Sequence, residues 1–104
     1  MSAIALLSVA PVIEGSMADE VAAAVDALED FPVRYETTGM GTIIEADDAG
    51  ILFDAAAAAH AAVDADRVST LLKIDDKRGA PSTADAKVDS VEERLGRAAK
   101  GDHR

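Results

Sequence analysis

The chain predicts a ferredoxin-like fold: an α+β domain in the order βαββαβ, with an antiparallel sheet, its two main helices on one face, and one extra C-terminal helix. Three observations lead there. Strand-length apolar or β-branched stretches alternate with longer helical stretches in that order. Two glycines bracket Met40 between the middle pair of strands, which marks a tight hairpin turn. Each of the other two strand-to-strand links contains a helix, long enough for a right-handed crossover between parallel strands.

The first strand, Ile4–Val9 within the apolar stretch Ala3–Val9, is almost wholly apolar and reads as buried on both faces, with Ser8 interrupting the run near its end. Pro11 and Gly15 place residues 10–15 in a loop. Ser16 is a helix N-cap, with Asp19 and Glu20 supplying negative charge to the first turn. Met17, Val21, Val25 and Leu28 recur at helical spacing, and Pro32 stops a helix that runs to about Asp30. Val33–Thr38 and Thr42–Ala46 form the hairpin, and Gly39 and Gly41 admit backbone angles that other residues resist.

Asp47 and Asp48 open the second helix, whose inward stripe is Leu52, Ala56, Ala59 and Val63; the surrounding alanines favour helix and permit close approach to a sheet. Val68, Thr70, Leu72 and Ile74 alternate with Ser69, Leu71, Lys73 and Asp75 as a fourth strand. A loop over residues 76–82 leads to Ser82 or Thr83, either of which caps a third helix bearing Ala84, Val88, Val91, Leu95 and Ala98. The domain spans residues 1–99, and residues 100–104 form a frayed tail.

With 104 residues the chain makes one domain with a modest core. It has no cysteine, so disulfides, zinc–thiolate sites and cysteine nucleophiles are excluded. No apolar run approaches the roughly 20 residues that cross a bilayer, and the first strand lacks the basic flank of a signal peptide. A cytoplasmic protein without membrane insertion is expected. The formal charge of −10 argues against nucleic acid as a partner, since phosphate binding needs clustered Lys and Arg. An acidic, alanine-rich surface also suits a salt-rich cytoplasm, an expectation that stability in low-salt buffer would remove. Helices on one face leave the other bare, with Leu71 and Ile43 beside Lys73, Asp75 and Glu45, so a partner and homo-oligomerisation are expected from the pattern alone.

The run Arg34-Tyr35-Glu36-Thr37-Thr38-Gly39-Met40-Gly41-Thr42-Ile43-Ile44-Glu45 resembles the small thiamine-binding protein family related to the hydroxymethylpyrimidine/thiamine-binding protein YkoF. Val9-Ala10-Pro11 and the later stretch from Arg67-Val68 to Leu72-Lys73-Ile74-Asp75-Asp76-Lys77-Arg78 carry the same resemblance, which covers residues 3–95. It implies a ferredoxin-like subunit that forms homodimers or homotetramers. It also implies non-catalytic binding of thiamine or its hydroxymethylpyrimidine moiety at or near a subunit interface, with no cofactor.

A site for such a ligand needs a carboxylate, hydroxyls and an apolar or aromatic wall. Glu45 is the candidate for the pyrimidine edge, accepting from the exocyclic amine or sharing a proton with a ring nitrogen. Thr42 supplies a hydroxyl contact or serves as ordinary strand threonine. Ser8, in an apolar central strand, needs a partner, either ligand or backbone carbonyl. Tyr35 stacks on a ring or stands at the sheet edge with its hydroxyl in water. Thr37 and Thr38 point to opposite faces, so at most one lines a given pocket. Met40 caps a pocket or reaches a neighbouring subunit. Alternation sets Thr42 and Glu45 on opposite faces as well, so one ligand meets both only if the turn bends the strand or the site lies at a subunit edge.

Other polar groups read as structural. Lys73 and Asp75 share a face and suit an ion pair. The Asp47-Asp48 and Asp75-Asp76 pairs lack calcium-loop spacing. His60 has no second histidine at metal-ligand spacing, and Gly39-x-Gly41 lacks the rest of a dinucleotide fingerprint. An enzyme using Glu45 as acid or base is disfavoured, because no nucleophile–base pair accompanies it. A structural or regulatory oligomer that binds another protein through its open sheet face is the remaining alternative.

Overall fold

The alternation of apolar and polar residues along four short stretches builds an antiparallel sheet of order β2-β3-β1-β4. In this computed structural model, which describes residues 2–79 and 83–101, the strands are β1 (Ala3–Pro11), β2 (Arg34–Thr38), β3 (Gly41–Ala46) and β4 (Val68–Asp76). The helices are α1 (Ala18–Asp26), α2 (Ala49–Ala62) and α3 (Ala84–Leu95). The order and pairing are those of the ferredoxin-like βαββαβ fold with a C-terminal helix.

Two-residue periodicity divides the sheet into two faces. Ala5 of β1 pairs with Ile44 of β3 and Ile74 of β4, and Leu7 pairs with Thr42 and Leu72; these rows lie under α1 and α2. The intervening rows, Ile4 with Glu45 and Asp75, and Leu6 with Ile43 and Lys73, lie on the opposite face. The first strand therefore alternates buried with half-buried residues rather than being buried on both sides, because both main helices cover one face only. The core is small: Leu28, Ile44 and Leu52 are its largest fully buried side chains, and the alanines of α2 bring that helix close to the sheet.

Several boundaries differ from the pattern for identifiable reasons. The first strand continues to Pro11, which pairs with Val68. Pairing with β3 ends at Leu7, and Val12 N–H donates to Arg67 O at 2.8 Å, so the alternation turns Pro11's missing donor toward an edge with no strand beside it. The first helix begins one residue later than a Ser16 cap implies: Met17 is the N-cap residue, and Ser16 Oγ accepts from Ala18 N–H at 3.3 Å. It tightens to a 3-10 turn over Ala27–Asp30.

In the hairpin, only Gly41 has a positive φ, at 152°. A Cβ there would meet Leu6 Cδ1 and the Leu7 carbonyl oxygen at 3.0 Å each. Gly39 has open space around it. Asp48 caps α2 by accepting from Gly50 and Ile51 N–H at 2.6 and 3.3 Å. Thr83 caps α3, accepting from Ala86 N–H at 3.0 Å, while Ser82 lies outside the described residues. That helix ends at Gly96 in the left-handed region, so Ala98 falls beyond it.

Candidate functional site

At the turn end of the hairpin, β3 starts at Gly41 while β1 continues past Leu7. This mismatch in length opens a cleft of about 160 Å³ between the hairpin, the end of β1 and the buried side of α1. Thr37 and Thr42 form its polar floor. They are cross-strand partners, and their hydroxyls hydrogen-bond at 3.0 Å. Thr42 is 5% exposed and is the one buried polar side chain among the described residues. Two hydroxyls offer two donors and four lone pairs, and their mutual bond uses one of each. One donor and several acceptor sites remain available to a bound group.

The cleft's walls are apolar: Leu7, Val21, Val25 and Leu28 line it, with Met17 and Met40 at the rim. Met40 is 86% exposed at the hairpin tip. No lining residue is charged. Thr38 lines the cleft as well as Thr37, although the two point to opposite faces, because the cleft wraps around the strand end. The Thr38 hydroxyl is turned back into the turn, donating to Gly41 O at 2.9 Å and accepting from Met40 N–H at 3.2 Å. Ser8 lines the same cleft from the end of β1.

Glu45 and Tyr35 lie elsewhere. They line a second groove of about 260 Å³, bounded by Arg34, Glu36, Ile43 and the first residues of α3. The Glu45 side chain is 14% exposed and fully engaged: Oε1 accepts from Ala84 N–H, and Oε2 is 3.0 Å from Arg34 Nη2. A carboxylate against the first N–H groups of a helix is favourably placed, so Glu45 anchors α3 to the open sheet face. The opposite-face placement that alternation gives Thr42 and Glu45 is what the structure shows, and the turn does not bring them to one cavity.

Tyr35 is half-buried on the helix side, and its hydroxyl donates to Glu29. That bond holds its pKa above the ordinary phenol value, with burial and the nearby Glu29 and Asp26 charges adding to the effect. Asp75 pairs with Lys87 of α3 rather than with Lys73 on its own strand. The Lys87 bond holds the Asp75 carboxyl below its usual range. His60 Nδ1 shares a hydrogen bond with Thr70 Oγ1 at 2.6 Å. Among the described residues no group of three His, Asp or Glu could hold a metal ion, and no helix is long and apolar enough to cross a membrane.

Ser8, Thr37, Thr38, Met40 and Thr42 thus border one cleft, and Glu45 borders another on the open face, where Tyr35 is a lining position although its hydroxyl turns to Glu29 on the helix side. The helical wall of the first cleft was absent from the candidates. Met17, Val21 and Val25 read as core stripe because their spacing is that of a packed helix; the signal for Met17 was its place before the first turn, where a stripe residue overhangs the sheet's end.

A profile of the thiamine-binding protein family matches residues 5–92 of the chain. A UPF0045 protein of Methanothermobacter thermautotrophicus is 51% identical over 83 residues, covering 77% of this chain and 84% of its relative. A second, UPF0045 protein MJ1052 of Methanocaldococcus jannaschii, is 33% identical over 93 residues, 86% of this chain and 92% of the other. The crystal structure of that hypothetical protein MJ1052 superposes with a TM-score of 0.81 at 30% identity, covering 88% of this chain and 97% of that one. A putative thiamine biosynthesis/salvage protein of Thermotoga maritima, TM0486, shares the fold with a TM-score of 0.76 at 21% identity, over 88% and 99% of the two chains.

Proposed function

The chain belongs to the thiamine-binding protein family, and from that premise we propose that it binds thiamine through the hydroxymethylpyrimidine moiety, or that moiety alone, without transforming it. The observation that carries the reading is the uncharged cleft floored by the Thr37–Thr42 hydroxyl pair. An aminopyrimidine edge presents an amine donor beside a ring-nitrogen acceptor. The hydroxyl pair offers an acceptor beside its remaining donor, so the two edges match. Methionine and aliphatic walls suit the ring faces. At about 160 Å³ the cleft is smaller than the roughly 300–1,000 Å³ of sites that enclose a drug-sized molecule, so one ring enters and the cationic thiazolium stays at the mouth, by Met17 and Met40. The net charge of −10 favours a cationic ligand over a phosphorylated one.

The subunit acts as a homodimer or homotetramer in this reading. The support is the face opposite the helices, where Leu71 is 58% exposed and Ile4, Leu6 and Ile43 are only half-covered.

Calorimetric titration with hydroxymethylpyrimidine and with thiamine tests the proposal. Binding of both is expected, with Thr42→Val weakening it about tenfold, equivalent to ~1.4 kcal/mol, and Glu45→Gln leaving it unchanged. Loss of binding in Glu45→Gln with retention in Thr42→Val would move the site to the groove beside α3. No heat with either ligand would favour a regulatory or structural oligomer that uses its open face for another protein.

A further inference from the structure

The edge strand β2 carries half of the cleft's polar floor and is weakly held. It has five residues, pairs with β3 alone, and exposes Arg34, Glu36, Thr37 and Thr38. Its remaining residue, Tyr35, is half-buried against the core. A short, exposed edge strand opens locally at little cost, and opening β2 would separate Thr37 from Thr42. Tyr35 and Thr37 stand two residues apart and so share the helix-side face. On the opposite wall, Leu28 lines the cleft from the 3-10 turn, and Glu29 is the next residue. The Tyr35 hydroxyl donates to the Glu29 carboxylate and joins the two walls. Arg34 pairs with Glu45 inside the hairpin, and the Thr38 hydroxyl bonds within its own turn. Among the described residues no other side-chain hydrogen bond or ion pair links the hairpin to α1 or its 3-10 turn.

We propose that Tyr35 is a positioning residue for the cleft: by bonding Glu29 it holds β2 against the helix layer and keeps the Thr37 hydroxyl beside Thr42, where a ligand meets both. This rests on the reading above, in which the hydroxyl pair is the ligand's polar contact. Tyr35 does not itself line the cleft, so it acts through Thr37. Its bond to Glu29 sets a phenol against a carboxylate, and hydrogen bonds to an ionised acceptor are stronger than neutral ones. Glu29 and Asp26 face the hydroxyl from the helix side, while Arg34, Glu36, Glu45 and Asp85 line the groove that Tyr35 borders on the other. The carboxylates on the helix side keep the proton on the phenol, so the tie is closed at neutral pH. Linkage gives the consequence. If the closed strand favours the ligand, the bound ligand favours the closed strand, and Tyr35 then holds its proton more tightly.

Calorimetric titration of the full chain with hydroxymethylpyrimidine tests this through a double-mutant cycle. Tyr35→Phe keeps the ring and its packing, and is expected to weaken binding about three- to tenfold with circular dichroism unchanged. Glu29→Ala is expected to do the same, and Glu29→Gln, whose amide oxygen still accepts from the phenol, to restore most of the loss. In a Thr37→Val background Tyr35→Phe is expected to cost little more, because the hydroxyl it positions is already gone. Ultraviolet titration is the second readout: saturating hydroxymethylpyrimidine, uncharged at alkaline pH, is expected to move the Tyr35 midpoint upward. Wild-type affinity in Tyr35→Phe would overturn the proposal. So would full additivity of Tyr35→Phe with Thr37→Val, or a midpoint that the ligand leaves in place, either of which would make the tie merely structural. Those outcomes leave the cleft reading standing as long as Thr42→Val weakens binding, whereas a wild type that gives no heat with the ligand overturns both.

Discussion

Tyr35 is the chain's single tyrosine, and there is no tryptophan, so its ionisation can be followed alone. Its hydroxyl bonds Glu29 only while protonated. The pair therefore adds stability below the ordinary phenol value of 10.0, and that contribution is lost as pH rises through the raised folded value. Ultraviolet titration should show a midpoint above 10 in the native protein, returning toward 10 in Glu29→Gln. Gly41 is the second residue with a sharp expectation. Its φ of 152° and the 3.0 Å approach of the Leu7 carbonyl oxygen leave no place for a methyl group. Gly41→Ala should cost about 1–3 kcal/mol in denaturant unfolding, whereas Gly39→Ala, with open space around it, should cost far less. Both glycines look alike in the sequence. Only the partner strand β1, more than thirty positions earlier, distinguishes them.

Helix α3 hangs from two carboxylates, Glu45 and Asp75, supplied by the open face. Because Lys87 holds the Asp75 pKa down, the pair contributes above the ordinary carboxylate value of 3.8, and the contribution is lost as pH falls through the lowered folded value. Amide exchange in the first turn of α3 should accelerate below about pH 4 before that of α2 does, since α2 is capped by Asp48 and packed on the sheet. Element identity was legible throughout: period-2 and period-3.6 patterns, Asp48, Thr83 and Gly41 all stand where the structure uses them. What stayed illegible was long-range. The reach of β1 to Pro11 depends on which of its edges β3 leaves bare, and the fate of Glu45 depends on Ala84, 39 residues later. The separation of Glu45 from Thr42 was legible, since alternation alone sets them on opposite faces; that no bend of the turn reunites them is visible only in the folded chain.

Across the whole molecule, the charge of −10 opposes association of like copies. Raising salt from low to molar concentrations should therefore favour the proposed homo-oligomer and raise the melting temperature together, as read by light scattering and thermal scans at each salt. The ferredoxin-like order was legible because each of the two main helices, α1 and α2, must bury its stripe on the sheet, and the alternation of strand and helix patterns is a local signal. The cleft was half legible: its hydroxyls come from one hairpin, but its walls come from α1, whose apolar residues announce only that they are inside.

At 18 Å across its shortest dimension the molecule is thin, and that has a consequence for the protein in the cell. A sheet with a single helix layer shields its hydrocarbon on one side alone, so in the proposed homo-oligomer the folded population of each chain would rise with the number of its fellows. Scarce chains would then be the ones most open to proteases, and abundant chains would protect one another. Supply of the polypeptide would thus set a threshold, below which the pool drains and above which it persists.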